Sequence, residues 1–198
     1  MRNFVRSISV CAASLMFGVA SFGQTATKTA AKATPFANVA VTYSLERSKA
    51  AGTSNYFWMN GATAEAAFRV RDSWSAAVSA SGATTPNVGS SVGFNKFTLA
   101  GGPRYTLYKM PKFVPFGQVL FGYSHGWNSR FPGQPGNLPA ATANAFAFAP
   151  GGGADVPLKN GFGLRVVQLE YVRTNFPNGT NKTQNDMKLS FGLSWHSH

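Results

Sequence analysis

The chain has 198 residues, a length that suits a single domain, and a formal net charge of +12. Charged residues make up 12% and aromatics 14%, against roughly 25% charged in ordinary soluble domains. After the N-terminus no apolar run approaches the roughly 18 residues that a spanning helix needs. Two classes remain: a soluble all-β domain, or a membrane barrel whose apolar signal is spread over alternating positions.

The N-terminus reads as an export signal. Arg2 and Arg6 make a basic start, residues 8–20 are mostly apolar, and Ser21-Phe22-Gly23 offers small residues to a signal peptidase. The expected organisation is a signal peptide over 1–23, a flexible Ala/Thr/Lys lead-in over 24–34, and a folded unit over 35–198. Cys11, the one cysteine, lies inside the signal, and Val10 before it is too large for a lipoprotein cleavage site. The exported chain is therefore expected to have neither disulfide nor thiol chemistry.

From residue 38 the pattern has period two. Val39, Val41, Tyr43 and Leu45 alternate with small or polar residues, as do Ala64, Ala66, Phe68 and Val70. Trp74, Ala76, Val78 and Ala80 follow, then Phe97 and Leu99, then Val119, Phe121 and Tyr123. Phe146 and Phe148 mark a sixth strand, and Val167, Leu169 and Tyr171 a seventh. The eighth is the clearest: Met187, Leu189, Phe191, Leu193 and Trp195 alternate with Lys188, Ser190, Gly192 and Ser194. Each reads as a strand with one apolar face. The fifth departs from the rule, because Phe116 and Leu120 share the polar face with Gln118.

The connections suggest how these strands are arranged. Residues 46–60, 82–95, 125–143 and 175–186 read as long links, and 71–73, 107–112 and 154–162 as short ones. Strict alternation of long and short, with both termini on the short side, is the asymmetry of outer-membrane barrels. Pro103, Pro115 and Pro150 each lack a ladder donor and fall beside short links, so they are expected at the periplasmic rim. Tyr43, Trp74, Tyr105, Tyr123, Tyr171 and Trp195 are candidates for interfacial girdles. The predicted fold is all-β: an eight-stranded antiparallel up-and-down transmembrane barrel.

Charge orients the faces. A Lys or Arg facing lipid at the bilayer midplane costs roughly 2–4 kcal/mol, and Glu65, Arg69, Lys96, Arg104, Glu170 and Lys188 all sit on the polar set. Arg165 and Arg173 fall on the apolar set, at opposite ends of their strand, where they would snorkel to head groups. The apolar set is thus expected to face lipid. Glu65, Arg69, Arg104, Glu170 and Lys188 are candidates for ion pairs that plug a narrow interior.

Motifs for chemistry are sparse. Gly151-Gly152-Gly153 is followed by neither a Lys-Ser/Thr pair nor a helix, so close strand packing explains it better than phosphate binding. His125, with Ser124 and Ser129 nearby, is the one candidate for a rim Ser–His pair, and no acidic partner lies close to it. His196 and His198 fall short of a closed metal site. Asn178-Gly179-Thr180 and Asn181-Lys182-Thr183 match a glycosylation acceptor, a match that bacterial export would make incidental. Neither a catalytic residue nor a cofactor is expected. The basic residues are scattered rather than clustered, which favours anionic lipid and lipopolysaccharide as partners over nucleic acid.

At Gly102-Pro103-Arg104-Tyr105, Val114-Pro115-Phe116-Gly117-Gln118 and Gly152-Gly153-Ala154-Asp155, with Arg165 and Tyr171 following, the sequence resembles bacterial outer-membrane β-barrels of the OmpA-like transmembrane type. The resemblance covers about 36–195 and implies insertion by the barrel assembly machinery into the outer membrane. A peptidoglycan-binding domain behind the barrel, and with it cell-wall tethering, is not expected, and His196-Ser197-His198 follow Trp195 where members usually finish on an aromatic residue. The function it implies is structural or surface contact without catalysis. The alternatives are a lipid-modifying barrel enzyme, a small pore, and a secreted soluble sandwich.

Overall fold

The computed structural model describes residues 35–49, 55–88, 92–110, 112–132, 138–177 and 182–197. The expected signal peptide and lead-in lie outside these residues, as do 178–181 of the glycosylation-type tripeptides. Eight strands follow one another: β1 (Ala37–Lys49), β2 (Tyr56–Arg71), β3 (Trp74–Val88), β4 (Val92–Thr106), β5 (Val114–Phe131), β6 (Ala140–Pro157), β7 (Phe162–Thr174) and β8 (Gln184–Ser197). Each pairs antiparallel with its neighbour, and β1 pairs with β8, so the sheet closes into an up-and-down barrel. Closure leaves no edge strand to be protected.

Period-two patterning explains which face goes where. Along β8 the side chains of Met187, Leu189, Phe191, Leu193 and Trp195 point outward and are exposed, while Lys188, Ser190 and Ser194 are buried inside. The same polarity holds around the barrel. Val41, Tyr43, Phe68, Val78, Leu99, Phe121, Phe146 and Leu169 are among the exposed large side chains. Aromatic pairs across neighbouring strands add to this outer face: Trp74 with Tyr105 at 5.1 Å, Phe121 with Phe148 at 5.3 Å, Tyr43 with Phe191 at 5.7 Å. It is a globular protein turned inside out.

Three expectations need correcting. The strands run further than their apolar stretches, so residues read as loop, Glu46 and Asp186 among them, belong to β1 and β8. Long and short links then no longer alternate strictly, since 89–91 join β3 to β4 while 107–113 join β4 to β5. Pro103 and Pro150 lie within strands, paired with Ala76 and Val119, rather than at a rim, whereas Pro115 is the second residue of β5, beside its link as expected. The β4–β5 register omits Gly102 and Pro103, and the β6–β7 register omits Ala149 and Pro150. A proline nitrogen has no proton to give a ladder, and at these two places pairing is interrupted.

The turn 158–161 shows local chemistry deciding geometry. Asn160 and Gly161 have φ of 58° and 79°, and Phe162 N donates to Lys159 O at 3.2 Å. This is the Asn-Gly type I′ turn whose twist suits a hairpin.

Candidate functional site: the barrel interior

An eight-stranded barrel has room for side chains and little else. Five of the six Asp and Glu residues, Glu46, Glu65, Asp155, Glu170 and Asp186, are buried inside; the sixth, Asp72, is exposed in the β2–β3 turn. Lys96, Arg104, Arg165 and Lys188 are buried with them.

The cluster nearer the barrel's own termini, Ala37 and Ser197, is centred on Glu65 of β2. Its Oε1 accepts from Arg104 Nη2 and from Arg165 Nη1. Its Oε2 accepts from Gln118 at 2.9 Å and from Gln168 at 3.3 Å. Arg165 also grips Asp155 with two parallel bonds, Nε to Oδ1 at 2.8 Å and Nη2 to Oδ2 at 3.1 Å, a bidentate geometry among the strongest a guanidinium makes. Both guanidiniums lie against the Phe116 ring, Arg104 4.2 Å and Arg165 4.6 Å from its centroid. Asn38 Oδ1 accepts from Arg165 at 3.0 Å, and its amide nitrogen lies 3.0 Å from His196 Nδ1. The phenylalanine that broke the strand pattern is thus part of the charged core.

Towards the other end, Lys96 bridges two carboxylates, Glu46 and Asp186, the latter at 2.8 Å. Ser48 donates to Asp186 and accepts from Gln184 at 2.8 Å. Lys188 pairs with Glu170 at 2.6 Å, and Gln118 Nε2 reaches Glu170 Oε1 at 3.2 Å, joining this pair to the first cluster. A cavity of about 20 Å³ lies among Glu46, Lys96, Glu170, Lys188 and Leu120, enough for about one water.

Beyond the ions, at the end opposite the termini, the interior turns apolar. Met59, Phe94, Phe131, Ala145 and Phe176 are buried together, and the Phe94 ring meets those of Phe57, Phe131 and Phe176 at 6.3, 5.8 and 6.1 Å. Gly126 makes room for them, since a Cβ there would fall 2.7 Å from Phe131 and 2.9 Å from Phe94. Glycines at 151 and 153 do the same for Glu170 and Phe116.

The structure brings together Glu65 with Arg104 and Glu170 with Lys188, and leaves Arg69 half-buried near the β2–β3 turn, outside both clusters. Sequence reasoning did not find Arg165, Asp155, Glu46 or Asp186. Arg165, expected on the outer face, is only 1% exposed. The cause is a register shift between Arg165 and Gln168, which turns both of them inward, and a second between Ala154 and Asp155 on β6. Such bulges re-aim side chains. Arg173 does face outward, as do the six aromatics considered for girdles: Trp74, Tyr105 and Trp195 near the terminal end, Tyr43, Tyr123 and Tyr171 towards the other. His125 lies outward, 2.5 Å from Asn144 and stacked on Trp127, whereas Ser124 points inward to Thr98. That pair lies on opposite faces of one strand and cannot act on one substrate.

No family model and no curated protein sequence matches the chain. Among solved structures, the Neisserial surface protein A aligns with a TM-score of 0.61 at 10% identity, covering 80% of this chain and 96% of that one. The attachment invasion locus protein of Yersinia pestis, crystallised with the heparin analogue sucrose octasulfate, gives 0.54 at 12%, covering 81% and 97%. The likeness is one of fold: this chain has the architecture of small bacterial outer-membrane barrels.

Proposed function

We propose that the protein is a non-enzymatic barrel of the bacterial outer membrane, solid inside, that reinforces the membrane and presents the loops at the end opposite the termini for surface contact. The observation that carries this reading is the inversion of polarity. Large apolar side chains are exposed around the whole barrel while nine charged side chains are buried within it. Only a solvent as apolar as lipid makes that arrangement stable. The barrel termini lie together at one end, the periplasmic side in this reading, and its partners are outer-membrane lipid and lipopolysaccharide. The two ionic clusters and the aromatic cap fill the interior, so a continuous water path is not expected. Recording the refolded protein in a planar bilayer tests this. A silent bilayer, with insertion verified separately, is the expected result; large steady openings would replace the solid barrel with a pore. Mass analysis of lipid A from cells with and without the protein is expected to show no difference, and a lost or added acyl chain would make it an enzyme.

A further inference from the structure

Pro103 and Pro150 interrupt the barrel wall in related places. By the register on either side, Pro103 falls opposite Val119, Val119 is paired with Pro150, and Pro150 falls opposite Tyr171. The two interruptions thus lie in one row of the sheet, one on each flank of the β5–β6 hairpin. Inside the hairpin the ladder runs unbroken from Val114–Asp155 to Trp127–Thr142. Glycines adjoin both prolines, Gly102 before Pro103 and Gly151 after Pro150, so each break is bordered by backbone that bends readily.

Towards the loops the two flanks differ. Strands β4 and β5 resume pairing from Gly101–Phe121 to Asn95–Trp127. Strands β6 and β7 resume only at Phe148–Arg173 and Ala147–Thr174, with Asn175 N donating to Phe146 O at 3.1 Å. Beyond that bond β6 runs on to Ala140 with no β7 partner among the described residues. The β6–β7 flank is the weaker one.

The cavity of about 20 Å³ among the buried ions lies against these breaks. Its lining includes Leu120, Ala149 and Val172, buried residues of the interrupted stretches Gly102–Leu120 and Ala149–Val172. At the loop end one ring ties the hairpin to both neighbours. Phe131, the last residue of β5, stacks on Phe176, which follows β7, at 5.4 Å and meets Phe94 of β4 edge-on at 5.8 Å.

We propose that the β5–β6 hairpin is a panel of the wall, hinged at the Pro103–Val119–Pro150–Tyr171 row, clasped by Phe131, and opening along the β6–β7 flank to admit water to the cavity. A ladder short of donors opens locally at lower cost than one that is complete, and lipid supplies no substitute donor. The clasp limits how often it opens. An opening of this size passes water without a steady ion current, so the silent planar bilayer remains the expectation. The inference adds a moving part to the filled barrel.

The test is amide hydrogen exchange of the refolded chain in lipid vesicles, read by mass spectrometry, because exchange requires water to reach the amide. Heat-modifiable gel migration of each sample shows separately that the barrel has formed. Amides of 147–149 and 171–174 are expected to exchange about tenfold or more faster than those of the β8–β1 seam, 41–45 and 189–193. Phe131→Ala should speed the flank about tenfold further and leave the seam unchanged. Pro103→Ala with Pro150→Ala restores two donors and should slow the flank towards the seam. If that variant does not fold, the wild type and Phe131→Ala decide alone. A wild-type flank as slow as the seam would overturn the proposal. So would a folded proline variant with unchanged exchange, or a Phe131→Ala barrel whose flank is unchanged or whose seam speeds up equally.

Discussion

Arg104 and Arg165 both donate to one oxygen of Glu65 and both pack on Phe116, so this single carboxylate is shared by charges from β4 and β7, with Asp155 supplying the second negative charge. Removing one partner of a buried ion pair leaves the other uncompensated, at a cost of about 3–5 kcal/mol. Glu65→Ala should therefore lower the unfolding free energy by that amount in urea titrations of the protein in vesicles. Arg69→Ala, half-buried and outside the clusters, should stay within about 0.5 kcal/mol. A Glu65→Ala loss as small as that would show that the network does not hold the interior together. At this scale parity alone placed Glu65, Arg104, Glu170 and Lys188 on the inner face. It misplaced Arg165 because one extra residue in β7 reverses parity, and nothing in Arg165-Val166-Val167-Gln168 announces a bulge.

Closure happens where β8 meets β1, and Gly192 stands at that seam opposite Thr42. A Cβ on Gly192 would fall 2.2 Å from Val41 O and 2.6 Å from Thr42 Cα, backbone that cannot yield without opening the seam. Gly82, on β3, has nothing within 4 Å of the same position. Gly192→Leu should abolish heat-modifiable migration while Gly82→Ala keeps it. Equal behaviour of the two would mean that the seam tolerates a gap or closes elsewhere. The existence and order of all eight strands were legible, because each carries an apolar alternation of its own. Their ends were not, since Glu46, Ser48 and Asp186 continue strands whose outer residues have become polar, and polar alternation leaves no hydropathy signal. The Asn160-Gly161 turn had a plain signature, whereas the apolar cap did not: Met59, Phe94, Phe131 and Phe176 come from three strands and a loop, and only closure of the barrel brings them together.

Across the whole molecule, charge and hydropathy are sorted radially. Low charge and period two were visible in composition and pattern, which is why the architecture was legible, whereas the burial of Glu46, Asp155 and Asp186 was not. What the inside contains depends on which strands face each other across the barrel, and that is a property of closure rather than of any segment. The most direct test of this sorting uses single cysteines, spin-labelled, along β8 of the refolded barrel in lipid vesicles, with the residues from 24 onward containing no cysteine of their own. Labels at Leu189, Phe191 and Leu193 should collide freely with dissolved oxygen, as groups in hydrocarbon do. Labels at Ser190 and Ser194 should be shielded and immobilised within the barrel. Shielded odd positions with water-accessible even ones, the pattern of a soluble sandwich, would contradict the account.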